Sequence, residues 1–409
     1  MRGEAAGRSA CAQRKQRLAA GGRRAPPIRL VNLSDNKTSV ECRGRVVQTR
    51  AAERVAVPLS AEQIRARYVE MKVPRVRLAL LPTPLQEAPR LARELGLGRL
   101  LIKRDDLTGL AFGGNKARNL EFRLAEAVQQ GADVVIAGLE AQSNSARMTT
   151  AAANVLGMRT ILILRSDRDW GWQGNLLVDR LLGAEVRFIQ TEDRATASVQ
   201  MDRVLRETAE EVRRGGGRPY VMNHAGAFAV GSALAYVLSS LEIVEQVSSV
   251  TGGAEPTHVY MCSGNKGHAG LILGRKLLGC SFRTIAISQH YADDRISGAL
   301  AAAREALGLL GWELELSEQD VESYDDYVET AYGEASPRGL EAMQLAARLE
   351  GLMLDPVYTA KAMAGLIDHA RRGLIGSDST VVFVHTGGLP AMFAFKDEIL
   401  CALERRKPD

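Results

Sequence analysis

Three strand-to-helix loops, two of them glycine-bearing, carry side chains able to do chemistry. The first is "FGGNK", in which Gly113 and Gly114 precede Asn115 and Lys116. Glycines at such a place let the backbone take a positive φ and approach a ligand closely. A lysine at the mouth of a helix meets the positive end of the helix dipole. Partial burial acts in the same direction, lowering its pKa as an imine-forming amine requires. The second loop is "AQSNSAR", where Ser143, Asn144 and Ser145 lie beside the unpaired N–H groups of a helix start, a ready site for a carboxylate. The third is "CSGNKGHAG", spanning Ser263, Gly264, Asn265, Lys266, Gly267 and His268. Its backbone N–H groups can cradle a phosphate, with Ser263, Lys266 or His268 adding contacts. Tyr332 in "AYGEAS", Tyr358 in "LDPVYTAKAM", and His385 and Thr386 in "HTGG" offer further polar groups. Each feature also has an ordinary structural reading: a surface lysine beside a turn, a Ser or Asn N-cap, a tight turn at a sheet edge, a packed tyrosine. No single loop decides between the two.

The elements that must position these loops show a repeated pattern. "RLLIKRDD" reads as a strand, and "NKARNLEFRLAEAVQQGA" as a helix with Leu120, Leu124 and Val128 on one face and Gly131 as its stop. "DVVIAG" (Asp133–Gly138) is a buried strand, followed by a loop and a helix through "ARMTTAAANVLG"; "RTILIL" and "AEVRFI" are strands around the helix "NLLVDRLLG". In the second half "THVYMC", "RTIAIS" and "TVVFVHTGG" read as strands, and "LILGRKLLG", "SPRGLEAMQLAARLEG" and "VYTAKAMAGLIDHARRG" as helices. Residues 291–340, charged and polar, read as a helix-rich surface excursion. Strand–helix alternation with short glycine turns is the mark of parallel sheets covered by helices. The expected fold is α/β, two-lobed, three-layered and built on parallel sheets, with a ligand in the cleft between lobes.

Composition removes several function classes. No apolar run approaches the roughly 20 residues needed to span a bilayer. Aromatics make up 5% of the chain and never interleave with basic residues, so nucleic acid is not expected as a partner. The five cysteines, Cys11, Cys42, Cys262, Cys280 and Cys401, are odd in number and scattered, which suits a reducing, cytoplasmic setting. No HxxxH or Cys/His spacing indicates a metal, and no GxSxG a serine hydrolase. The net charge of +5 divides unevenly: residues 1–70 carry +9 and the remainder −4. Residues 1–70 therefore read as a basic, disordered extension. A transit peptide, a nucleic-acid-binding arm or an over-long start ahead of Met71 are alternatives.

Taken together, "LPTPLQEAPRLARELG", "LLIKRDDLTGLAFGGNKARNLEF", "AQSNSARMTTAAANVLGM", "QGNLLVDRLLGAE", "LDPVYTAKAMAGL" and "FVHTGGLPAMFAF" occur in order across Leu81–Phe395. They closely resemble the D-cysteine desulfhydrase and 1-aminocyclopropane-1-carboxylate deaminase family. These are pyridoxal-5′-phosphate (PLP) enzymes of fold-type II, the tryptophan-synthase β group. The resemblance covers the chain after Met71. It implies a catalytic region over 71–409, with a smaller lobe at roughly 115–230 inserted into a larger one, and a homodimer. It also implies PLP on Lys116, with Asn115 beside it. Ser143 and Asn144 correspond to the pair near the substrate carboxylate and cofactor hydroxyl. Ser263 through His268 correspond to the phosphate loop, Tyr358 to the residue beside the pyridine ring, Tyr332 to the tyrosine of a "GYG", and Thr386 to the residue at the pyridine nitrogen. The implied reaction is loss of a β-leaving group from a small amino acid, giving a 2-oxo acid and ammonia.

Within that family, Thr359 stands where the deaminase branch has Glu, which favours the desulfhydrase-like branch: pyruvate, ammonia and sulfide. The alternatives are a 1-aminocyclopropane-1-carboxylate deaminase, a cysteate-type lyase, or a non-catalytic PLP or amino-acid binding protein. Two stretches depart from the family. The usual "GSGGTxAG" phosphate loop is replaced by Ser263–Gly270, with Lys266 for a glycine and Gly267 for the threonine. "NHAGAFAVGS" (Asn223–Ser232) stands where the family has a "GGSN"-like stretch.

Overall fold

The computed structural model describes residues 53–404, apart from 167, 191–193 and 223–229. The basic segment 1–52 and most of the divergent stretch at Asn223 thus lie outside the described residues.

Apolar β-branched runs become buried strands in two main sheets. The smaller sheet contains β4 (Val134–Glu140), β5 (Arg159–Arg165), β6 (Glu185–Ile189) and β7 (Pro219–Met222), in the order β6-β5-β4-β7. All its pairings are parallel. The larger sheet contains β2 (Leu85–Glu87), β3 (Arg99–Lys103), β8 (His258–Cys262), β9 (Arg283–Ile287), β11 (Glu322–Tyr324) and β12 (Thr380–Val384). Its order is β11-β9-β8-β12-β3-β2, parallel except for β2 against β3. A short parallel pair joins β1 (Glu53–Arg54) to β10 (Trp312–Glu313). Every residue of β8 is buried, as expected where helices cover both faces of a parallel sheet.

Two expectations need correction. Residues 53–70 are not part of a disordered arm. Ser60 caps the helix Ala61–Glu70 through a reciprocal bond with Gln63, a capping box. The Tyr68 hydroxyl donates to the Leu234 carbonyl at 2.7 Å, and Arg67 donates to the carbonyls of Leu310 and Gly311. Ile64 and Tyr68 are buried in the core formed with the helix Gly231–Thr251. A chain begun at Met71 would lose this packing. Arg-rich composition concealed it, because only one face of one helix is apolar. Ile64→Ala should destabilise the protein by about 2–5 kcal/mol, as deletion of a fully buried isoleucine side chain does, measured by urea unfolding.

Residues 291–340 are likewise not a surface excursion. The helix Arg295–Leu309 buries Ala299, Ala303 and Ala306, and β11 is an edge strand of the larger sheet. β11 has three residues, all half-buried, so it leaves no apolar run to read. No helix among the described residues is long and apolar enough to cross a membrane.

Candidate functional site

The reactive loops all follow the C-terminal ends of parallel strands, where open α/β sheets place ligands. β3 leads to the loop ending at Lys116, β8 to Ser263–Gly267, β9 to Gln289 and His290, and β12 to Thr386–Gly388. From the other sheet, β4 leads to Ser143 and Asn144. These loops enclose a cavity of about 520 Å³ whose wall includes Asn115, Lys116, Ser143, Asn144, Ser263, Gly264, Asn265, Lys266, Gly267, Tyr332, Tyr358 and Thr386. A neighbouring cavity of about 610 Å³ shares Ser143, Tyr332 and Tyr358 and extends past Glu140, Arg165 and Trp170.

Lys116 is the first residue of the helix Lys116–Gln129. Protein packed around its amine pushes its pKa down, partly opposed by Cys262 and Asp355. The turn before it requires glycine: Gly113 has φ 69°, and a Cβ there would lie 1.8 Å from the Asp106 carbonyl oxygen. A Cβ on Gly387 would lie 2.6 Å from the Gly114 Cα, so the two glycine loops meet backbone to backbone. The Asn115 N–H donates to the Thr386 carbonyl at 3.0 Å across that contact.

The helix bearing Lys116 is anchored by a buried charge network. Arg118 and Asp105 are almost wholly buried and joined at 2.8 Å. Arg118 also donates to both Glu242 oxygens at 2.8 Å, and Lys103 reaches Glu242 at 2.7 Å. The Tyr236 hydroxyl donates to the other oxygen of Asp105 at 2.9 Å. Burial opposes ionisation of Glu242, but Arg118 and Lys103 bring its pKa down to about 2.

Ser143 caps the helix Asn144–Val155, its hydroxyl accepting from the Ser145 and Ala146 N–H groups. The Asn144 Oδ1 accepts from Asn175, which turns its NH₂ into the donor available to a ligand. The hydroxyls of Tyr332 and Tyr358 lie 2.8 Å apart, and the His290 ring meets Tyr332 edge-on. Burial raises the pKa of both tyrosines, keeping them as neutral O–H groups. Tyr358 is presented by a turn whose N–H groups bond the buried Asp355 carboxylate.

Two side chains are placed differently from what their motifs suggest. His268 faces the core, its Nε2 at 2.8 Å from the Thr284 carbonyl, while its N–H donates to the Ser263 hydroxyl. It is absent from the cavity wall because the helix Lys266–Leu278 turns it toward β9. Thr359 is also fully buried, with its hydroxyl donating to Asp355 at 2.7 Å. Sequence reading missed several wall residues: Asn119, Arg123, Arg147, Cys262, Gln289 and His290. The position of Gln289 and His290 just beyond β9 was the available signal, since they follow a parallel strand as Ser263 follows β8.

The wall suits PLP. Its volume is that of an ordinary cofactor site. A lysine with a lowered pKa faces the start of the helix Lys266–Leu278, whose dipole favours a phosphate. The Lys266 pKa is itself lowered, first by burial and then by neighbouring Arg123, so this end gathers positive charge. The buried Asn119 Oδ1 on the wall has no hydrogen-bond partner.

A two-sheet α/β protein with a buried amine and a helix start on the wall of one cavity is suited to a cofactor-dependent enzyme. The chain belongs to the pyridoxal-phosphate-dependent enzyme family, whose pattern matches residues 76–387. It is 36% identical over 334 residues to a D-cysteine desulfhydrase of Salmonella typhi, covering 80% of this chain and 98% of that one. A Pyrococcus abyssi protein provisionally named 1-aminocyclopropane-1-carboxylate deaminase is also 36% identical, over 80% of this chain and 96% of its own. The crystal structure of an ACC deaminase homologue superposes with a TM-score of 0.73 at 36% identity, covering 83% of this chain and 98% of that one. PLP is thus the cofactor, and the fold is type II.

Proposed function

We propose that the protein is a D-cysteine-desulfhydrase-like lyase that eliminates sulfide from a small amino acid, yielding pyruvate and ammonia. The observation that carries this reading is the juxtaposition of Lys116, the Ser143–Asn144 helix start and the Tyr332–Tyr358 pair in one cavity. When bound, PLP supplies an electron sink for the carbanion left by proton removal. Lys116, whose pKa burial lowers, would hold the cofactor and is placed to exchange with a substrate amine. Ser143 and Asn144, with the helix start behind them, hold the substrate carboxylate. The paired tyrosine hydroxyls stand beside the substrate, with one O–H available to a leaving group. Lys266 and the N–H groups of Ser263–Gly267 would hold the phosphate, and Thr386 on the cavity wall would serve the ring nitrogen. Residues 115–230 form the smaller lobe and the cofactor lies between lobes. A homodimer in the cytoplasm is the expected setting.

A 2-oxo-acid assay over D-cysteine, 1-aminocyclopropane-1-carboxylate and cysteate tests the reading. Pyruvate with sulfide from D-cysteine supports it. 2-Oxobutanoate from the cyclopropane substrate assigns the deaminase activity instead, and substrate-induced spectral change without product assigns a binding protein. Tyr358→Phe, which keeps the ring and removes the hydroxyl, should retain the bound-cofactor absorbance and lower kcat by about 10²-fold, as loss of a proton-transfer group does.

A further inference from the structure

The backbone leading into Lys116 is unusual. Ala111, Phe112, Gly113 and Gly114 all have positive φ, at 40°, 69°, 69° and 132°. Two of the four carry a Cβ, which the left-handed region disfavours by contact with the backbone. Phe112 is 62% exposed, so little side-chain burial holds it there. Some other group must keep the segment in place.

We propose that Arg147 is a positioning residue for Lys116, bracing this left-handed segment so that the lysine enters the cavity. Arg147 is fully buried one turn into the helix Asn144–Val155. Its Nη1 donates to the Ala111 carbonyl and its Nη2 to the Gly113 carbonyl at 3.3 Å, so one planar fork straddles Phe112. Its Nε donates to the Asn175 Oδ1 at 2.8 Å, which fixes the guanidinium plane. Asn175 is held in turn by the Gln142 carbonyl and Asn144 Oδ1, so the group that orients Asn144 also orients the brace. Asp179 is buried nearby with neither oxygen hydrogen-bonded, and burial pushes its pKa up to about 8 despite the pull of Arg147. Asp179 therefore takes none of the N–H groups that hold the loop. On the far side, Thr108 completes the clamp: its hydroxyl donates to the Gly114 carbonyl and accepts the Gly114 N–H, both at 2.8 Å.

This role rests on the reading of Lys116 as the cofactor lysine, and the experiment separates the two. Arg147→Lys keeps a positive charge beside Asp179 but cannot span both carbonyls; Arg147→Met removes charge and fork together. Both should speed hydrogen–deuterium exchange at amides 111–116, change the visible band of the holoenzyme, and reduce borohydride-fixable PLP on Lys116. Misplacing a reacting group by about 1 Å lowers kcat by about 10²-fold, with KM little changed. Ala111→Gly removes the steric objection to φ 40°. It should recover most of these losses in the Arg147→Lys background, while leaving kcat of the unsubstituted enzyme within about twofold. Wild-type exchange, spectrum and kcat in Arg147→Lys and Arg147→Met would overturn the proposal. So would a fall in melting temperature that Ala111→Gly does not couple to loop exchange, which would make Arg147 a packing residue only. Failure of borohydride to fix PLP on Lys116 in the unsubstituted enzyme would overturn the assignment of Lys116. The exchange data alone would then decide the brace.

Discussion

Lys116→Ala should give a folded protein that no longer carries PLP covalently and turns over about 10⁴-fold more slowly, since the amine that holds the cofactor and exchanges with substrate is gone. Borohydride treatment followed by peptide mass spectrometry should find no cofactor on the Ala117-containing peptide, while unsubstituted protein is labelled on Lys116. Stability should move the other way. Burial pushes the Lys116 pKa down, so the folded protein holds this ammonium less well than water does. Removing the side chain should leave the melting temperature of cofactor-free protein unchanged or higher, as at other sites where function opposes stability. A large drop in melting temperature would show instead that Lys116 has a structural role.

Arg118→Leu should be the most damaging substitution for the fold. Arg118 lies between Asp105 and Glu242, and its loss leaves Asp105 buried without its charge partner. Breaking such a network by removing one member destabilises by about 3–5 kcal/mol, read by urea unfolding. The same network predicts an acid response. Glu242 is held at about 2, below its ordinary value of 4.5. A depressed carboxylate contributes stability that is fully present above 4.5 and is lost as pH falls toward about 2. Glu242→Gln should flatten the fall of stability across that window, and unsubstituted protein should show it in full.

How far the sequence reveals this molecule depends on the range over which each feature is built. The parallel strands are visible because "DVVIAG" and "TVVFV" are short continuous apolar runs. The loops around Ser143 and Ser263 are visible for the same reason, since each closely follows such a strand, while Lys116 is marked by the two glycines just before it. β11 was not visible, because an edge strand of three half-buried residues needs no apolar run. Nor was the Arg118 network, whose partners stand 13 and 124 residues away. His268 shows the opposite failure. Its sequence pattern points to a phosphate loop with His268 among the contacts, whereas Ser263–Gly267 line the cavity and His268 does not, because the helix that follows sets which way each side chain turns.

The place of β12 bears on how the chain is made. This strand, residues 380–384, is hydrogen-bonded on one side to β8 and on the other to β3. During synthesis the four strands of the smaller sheet are complete by residue 222, so that sheet can assemble while the rest is still being translated. The larger sheet must wait, with β3 and β8 each exposing an unpaired edge, until nearly the whole chain has left the ribosome. Nonsense or frameshift truncations anywhere before residue 380 should therefore yield aggregating products rather than a weakened enzyme.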